Sequence, residues 1–454
     1  MSATSRRSFL ALSAAAVGGV ALSACGTAGP GTGTGASAGA GASGAASGGA
    51  AAGTASMWAL SGQPNEGIVK NSVDAFNAKG GPKVQVDFFQ NDAYKQKIRT
   101  AIGAGQAPTL IYGWGGGGLR TYAAANQVED LTSWVNATPA IKDRYINTVW
   151  NAATVNGKIF ALAGNGTQPI ILWYNKAVFD AHGAQPPTTW ADLMKLVTLF
   201  NSKGVAPFSL GGQSRWTSMM WLQYLLDRIG GPTVFQSILE EKKDAWSDPA
   251  VLEMAKKVVE LVQAKAFISN FASVAADGNA DQALLWTGKA AMMLHGGWTY
   301  GSMKANGGDF VSSGKLGWTT FPTIAGGKGD IKGLVGNPAN YWSISSKATA
   351  AEKEAAKAYL KDGLLAKDEA AAFVKSGTIP VVKGVEAQID QSADKPYLSW
   401  VYARLNEASS FTQSWDQALQ PTPAEELLKN IEQLFLLKIT PEQFVTNMNA
   451  TIGK

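Results

Sequence analysis

The side chains able to do chemistry in this chain are unevenly chosen: 15 tryptophans stand beside 2 histidines, His182 and His295, and one cysteine, Cys25. Catalytic and structural zinc sites draw two or more ligands from His or Cys, so no catalytic metal centre is expected; no cofactor is expected either. A lone thiol forms no internal disulfide. An indole instead offers an apolar face with an N–H at its edge, which suits the C–H faces of sugar rings. Planar Asn, Gln, Asp and Arg side chains then complement the ring of hydroxyls. Three loops carry such mixtures. In Tyr112–Gly118, Trp114 precedes four glycines that allow close backbone approach; the alternative is a turn around a packed indole. The run lacks the Gly-Lys-Ser/Thr ending of a phosphate loop. In Gly212–Trp216, Gln213 and Arg215 can hydrogen-bond hydroxyls and Trp216 can stack, unless Trp216 simply packs on Trp221. Asn91 and Asp92 follow a strand, where a helix-capping role competes with ligand binding.

These loops need elements to hold them. Met57 to Leu60 reads as a short strand, followed by a helix with Ile68, Val69, Val73 and Phe76 inward and Gly80-Gly81 as its stop. Val84, Val86 and Phe88 alternate as a strand does. A helix near Ala93–Ile102 and a strand Thr109–Tyr112 repeat the unit, which predicts an α/β domain with a partly parallel sheet. The middle is more helical: Thr189-Trp190-Ala191-Asp192 has the form of a capping box. Asp248-Pro249 starts a helix expected to turn Leu252, Ala255, Val259 and Val262 inward. Strands follow at Ala290–Leu294 and Leu316–Phe321, then helices at Ala350–Leu365, Pro423–Leu437 and Pro441–Thr451.

The N-terminus carries an address. Ser5-Arg6-Arg7-Ser8-Phe9-Leu10 matches a twin-arginine export pattern, an apolar run extends from Ala11 to Leu22, and Leu22-Ser23-Ala24-Cys25 has the form of a lipobox. Lipidation explains both the position and the solitude of Cys25. Residues 26–56, nearly all Gly, Ala, Ser and Thr, read as a flexible tether with a reach of roughly 30 Å. Together they predict a domain held by lipid alone at the outer face of the cytoplasmic membrane. The formal charge of +5 comes from scattered lysines rather than a basic block, so no nucleic-acid partner is expected.

Several segments together resemble the extracellular solute-binding proteins of ATP-driven sugar importers, the maltose- and oligosaccharide-binding group. They are Ala104-Gly105-Gln106-Ala107-Pro108, Gln127 to Thr132, Tyr174-Asn175-Lys176 with Phe179, and Pro187-Thr188-Thr189-Trp190. Gly288 to Met292 leading into Gly296-Gly297-Trp298, Ala355 to Leu360, and Gly377-Thr378-Ile379-Pro380 complete the set. Relatives often place an acid after the Ala-Pro pair; here it is Thr109, to which no sugar-binding role carries over. The resemblance implies an α/β, two-lobed periplasmic-binding-protein-like fold of type II with the ligand between the lobes. One lobe would comprise 57–166 and 337–390, the other 167–336 and 391–454. It further implies ligand contacts at Gln63 and Asn65 after the first strand, at Asn165 and Asn337 where the chain crosses between lobes, and at Trp298; His295 beside it is a further candidate, with a structural role as the competing reading. Trp415 would be a cleft tryptophan, with Asp416 accepting from sugar hydroxyls; helix capping is the competing role for Asn65 and Asp416.

The resulting expectation is a monomeric binding protein that passes a short neutral oligosaccharide, with xylobiose or another xylo-oligosaccharide as the guess, to ABC permease subunits. A secreted glycosidase is the alternative. It requires two carboxyl groups about 5–10 Å apart across a scissile bond. No acidic pair stands out in the loops, where Asn, Gln, Gly and Trp predominate. A cell-wall adhesion role would leave the two-lobed pattern without a purpose.

Overall fold

A computed structural model describes residues 53–453. The export pattern, the lipobox with Cys25 and most of the tether lie outside the described residues. The tether is shorter than expected at its C-terminal end, because the first strand, β1, already begins at Thr54 and runs to Leu60. Ala55, Met57 and Ala59 alternate inward and are almost completely buried, so small and apolar side chains at every second position extend the strand into what composition alone reads as linker.

Two sheets organise the chain. In the first, β1, β2 (Lys83–Phe89) and β3 (Leu110–Gly113) are parallel, connected by helices α1 (Asn65–Ala78) and α2 (Asn91–Gly103). A small hairpin of β4 (Thr154–Val155) and β5 (Lys158–Ile159) precedes β6 (Leu162–Gly164). The first sheet is completed from far along the chain: β12 (Asn340–Ile344) lies antiparallel between β3 and β6, giving the order β2-β1-β3-β12-β6. Thr109 is 3% exposed and is tied to β1 by its backbone N–H donating to Ser56 Oγ at 2.9 Å.

The second sheet centres on β7 (Gln168–Asn175), covered on both faces, which explains its uninterrupted Pro169-Ile170-Ile171-Leu172-Trp173 run. β9 (Ala290–Gly296) pairs with it antiparallel, with β8 (Ala206–Ser209) beyond. On the other side lie β10 (Leu316–Thr319), β11 (Leu334–Asn337) and, outermost, β13 (Phe411–Gln413). The chain therefore passes between sheets at residues 165–167 and again at Pro338-Ala339. The segment around Ile379 and Val381 braces the first passage: Thr167 N–H donates to Ile379 C=O at 3.2 Å and Val381 N–H to Asn165 C=O at 3.2 Å. One hydrophobic core surrounds the first sheet and continues over one face of the second through Ile171, Trp173, Met293 and Leu316; a second core covers the other face with Ile170, Leu172, Met292 and Leu294.

The helix starts follow their chemistry. Thr189 and Asp192 form a reciprocal capping box at Trp190–Ser202, and Asp248 accepts from Ala250 N–H with Pro249 in the first turn of Pro249–Gln263. The buried face of the latter helix is rotated from the expected one. Val251, Met254, Ala255, Val258 and Leu261 are buried, whereas Leu252, Val259 and Val262 are only partly covered. Glu253, Lys256, Lys257, Glu260 and Gln263 gather on one face as a polar stripe, and Leu252 and Val259 stand towards its border rather than at the centre of the apolar side.

Candidate functional site

A cavity of about 400 Å³ lies between the two sheets, within the usual range for small-molecule sites. Its walls are built from the loops that leave strand ends, as in other open α/β sheets. From the first sheet come Gly62–Glu66 after β1, Gln90, Asn91 and Lys95 after β2, and Tyr112 and Trp114 at the end of β3. The crossings contribute Asn165, Gln168, Asn337 and Asn340. From the second sheet and its helices come Trp216, Met219, Met220, Asp277, Asn279, Gln282, His295, Trp298, Ser302, Ser414, Asp416 and Gln417.

One wall is aromatic. The rings of Trp216 and Trp298 lie 6.1 Å apart at 46°, and the His295 ring packs edge-on against both, at 5.4 and 5.2 Å. His295 is 1% exposed. Its Nδ1 accepts from Gly296 N–H at 2.9 Å and its Nε2 stands 3.2 Å from Asp281 Oδ2, so it buttresses the indoles from beneath. Gly296 is required here: a Cβ would sit 1.8 Å from the Trp298 ring, which folds over the bare backbone.

The floor is an amide cluster. Asn165 Nδ2 donates to Asn65 Oδ1 at 3.2 Å and to Asn340 Oδ1 at 3.4 Å, while Gln168 Nε2 donates to the same Asn340 oxygen at 2.9 Å. Asn165 holds φ = 68°, a left-handed conformation that Asn tolerates, and this turns its side chain back over the crossing. Besides His295 Nε2, three buried atoms of the lining residues have no hydrogen-bond partner: Asn337 Oδ1, Gln282 Oε1 and Ser302 Oγ. Of these three, two are acceptors and one is a hydroxyl, so they suit a ligand that presents hydroxyl groups.

The lobes also touch across the cavity. Trp216 Nε1 donates to Asp92 Oδ1 at 3.0 Å, and Asp92 N–H donates to Asp277 Oδ2 at 2.9 Å. Burial pushes the Asp277 carboxyl above its ordinary value, against the lowering effect of that N–H. Lys95 Nζ reaches Asp416 Oδ2 at 3.3 Å, with side chains 17% and 7% exposed.

Of the residues expected from sequence, Gln63, Asn65, Asn91, Trp114, Asn165, Trp216, His295, Trp298, Asn337 and Asp416 line this cavity. Gln213, Arg215 and Trp415 do not line it. Gln213 lies in a tight turn, its N–H bonded to Val274 C=O at 3.1 Å. Arg215 directs its guanidinium to Glu425, with Nη1 donating to Oε1 at 2.9 Å. Trp415 is 1% exposed and stacks on Phe235 with centroids 4.8 Å apart. It belongs to a four-residue helix, Trp415–Ala418, whose turn sends Trp415 into the core while Ser414 and Asp416 face the cavity. Nor does any side chain of Asn65, Asn91 or Asp416 cap its helix.

Sequence reasoning missed Gln90, Lys95, Gln168, Asp277, Asn279, Gln282, Asn340, Ser414 and Gln417. A signal existed for Lys95, four residues after Asn91 and so on the same helix face. Asn340 stands in the same segment as Asn337. Asp277 and Asn279 sit in an irregular loop that carries no such signal.

Residues 61–372 match the family model described as bacterial extracellular solute-binding protein. The chain belongs to that family. Among curated relatives, a "probable sugar-binding periplasmic protein" of Mesorhizobium japonicum is 28% identical over 231 residues, 48% of this chain and 52% of that protein. A diacetylchitobiose-binding protein of Streptomyces coelicolor is 27% identical over 248 residues, 52% of this chain and 50% of that protein. The chain thus spans about half the length of the curated relatives it matches. A structure solved in a study of xylan utilization by the thermophilic bacterium Caldanaerobius polysaccharolyticus superimposes with a TM-score of 0.79 and 28% identity. That match covers 88% of this chain and all of the other, so the two-lobed architecture is shared throughout.

Proposed function

We propose that this protein captures a short neutral oligosaccharide, a xylo-oligosaccharide such as xylobiose, and delivers it unchanged to the permease of an ABC importer. The observation that carries this reading is the cavity itself. Two indoles form one wall, and residues with buried acceptors and a hydroxyl that lack protein partners line the same cavity, which matches the apolar faces and hydroxyl edge of a sugar. Affinity then comes from stacking and from hydrogen bonds made away from bulk water, and ligand selects the closed form because only closure brings both lobes onto it. The relatives named for sugar and diacetylchitobiose binding, and the structural neighbour from a xylan-utilization study, support the sugar class.

The acids that reach the cavity are engaged as structural acceptors: Glu66 takes Gly62 N–H at 2.8 Å, Asp277 takes Asp92 N–H, and Asp416 faces Lys95. This favours capture over glycoside hydrolysis. In the same reading the protein is exported by the twin-arginine route and works as a monomer anchored through a lipid on Cys25. Isothermal titration of the purified chain with xylo-, gluco-, galacto- and chito-oligosaccharides, with chromatography of the recovered sugar, tests the proposal. The expected result is saturable binding of a short neutral sugar recovered intact; sugar cleavage, or binding only to phosphate or peptide compounds, would refute it. Incorporation of labelled palmitate that disappears in Cys25→Ser tests the anchor.

A further inference from the structure

Lys95 and Asp416 do more than bridge the lobes, because they stand between two cavities. The ammonium of Lys95 lies 5.0 Å from the Trp114 ring centroid and 5.7 Å from that of Trp216, between one indole from each side. Asp416 Oδ2, its partner at 3.3 Å, also accepts from Gln417 Nε2 at 2.6 Å. On one side of this pair is the 400 Å³ cavity already described. On the other is a second space of about 110 Å³ between α2, the helix Gly116–Ala124 and the helix Pro421–Phe435. Both are lined by Lys95, Tyr112, Trp114, Asp416 and Gln417. The second space adds Tyr122 as an aromatic surface, with Arg99 and Glu425 as polar groups.

We propose that the Lys95–Asp416 pair is a movable partition that sets the length of the bound oligosaccharide, and that the space behind it is a further sugar subsite. This rests on the sugar-capture reading and deepens it. A sugar ring occupies roughly 150 Å³, about five water volumes. The main cavity therefore has room for two rings; the space behind the partition, about 110 Å³, is smaller than one ring, so a third unit is seated there only when the pair moves aside and the two spaces join. The pair is suited to moving. Lysine carries a point charge on a flexible four-carbon stem, and this stem is held by one carboxylate and two ring faces rather than by a fixed fork. A sugar hydroxyl can accept from the ammonium while another donates to the carboxylate, so a chain threading through replaces the contact without stranding either charge. The larger opening left by a shortened residue 95 would join the two spaces.

The test is a length ladder. Isothermal titration of the full chain with di-, tri- and tetrasaccharides of the xylo, gluco and chito series is run on the wild type, Lys95→Ala and Asp416→Asn, with circular dichroism melts as a fold control. In the wild type, the step from two to three units is expected to weaken binding fivefold or more in the series that binds. In Lys95→Ala that step should vanish or reverse. Asp416→Asn keeps the bulk of the partition and its acceptor oxygen, and should keep the step while lowering its size; it also serves if Lys95→Ala does not fold. An even loss at every length would make the pair a simple closing contact and overturn the partition, as would a wild type indifferent to length. Silence of all three series on the wild type overturns the sugar reading, and this proposal with it, before any variant is compared.

Discussion

At the scale of single residues, the two tryptophans at positions 298 and 415 make opposite predictions. Trp298 folds over Gly296 at the cavity wall, so Trp298→Ala should lower sugar affinity about tenfold or more, a change of about 1.4 kcal/mol per decade, with little change in melting temperature. Calorimetry and thermal melts on one variant check both halves. Trp415 is stacked on Phe235 and meets Trp246 edge-on, with centroids 6.1 Å apart. Its truncation should cost about 3–5 kcal/mol of stability and leave the affinity of the folded fraction near wild type. Chemical denaturation alongside titration would show the contrast. The residue types at this site were legible in the sequence, since loops after strands rich in Trp, Asn and Gln lead to most of the lining. Their directions were less so. Whether Trp415 or its neighbour Asp416 turns inward depends on one turn of a four-residue helix, and no periodicity exists over so short a span.

At the scale of elements, the glycine run after Trp114 has a use that differs from the expected one. The helix Gly116–Ala124 presses its first turn against Gln417 and Leu419 of the opposite lobe. A Cβ on Gly117 would meet Leu419 C=O at 1.9 Å and one on Gly116 would meet Gln417 C=O at 2.6 Å. The close approach that glycine permits is thus made to protein backbone. Gly117→Ala should destabilise the protein by about 1–3 kcal/mol, read as a lower urea midpoint, because backbone rather than a flexible side chain must yield. Elements with one buried face were readable: Ile68, Val69, Val73 and Phe76 line the inner side of α1 as their spacing requires. The helix Pro249–Gln263 was readable in extent; its polar stripe of Glu253, Lys256, Lys257 and Glu260 marks the outer face, and the expected inward set mixes core positions with border ones such as Leu252 and Val259.

At the scale of the whole molecule, one buried acid ties global stability to pH. Glu369 is 6% exposed beneath α1, where its carboxylate accepts from Leu365 N–H. Burial pushes it from 4.5 up to about 7, despite the lowering effects of that N–H, Ser72 and Arg144. Below about 4.5 both folded and unfolded chains hold the proton. As pH rises from there to 7 the unfolded chain ionises first, so this residue withdraws about 3 kcal/mol of stability across that window and no more above it. Glu369→Gln lacks this slope; its melting temperature should rise relative to wild type between pH 4.5 and 7 and run parallel beyond. The interleaving of the sheets was beyond periodicity, which says that Asn340–Ile344 is a strand but not that it enters a sheet begun nearly three hundred residues earlier. That insertion also governs the order of assembly. Until a growing chain has emitted β12, β3 and β6 each expose an unpaired edge and cannot be joined, however well β1 and β2 have formed. The first lobe is therefore finished only after much of the second has been synthesised, and a chain interrupted before residue 340 would leave the ribosome with two open sheet edges and aggregate rather than yield a smaller working domain.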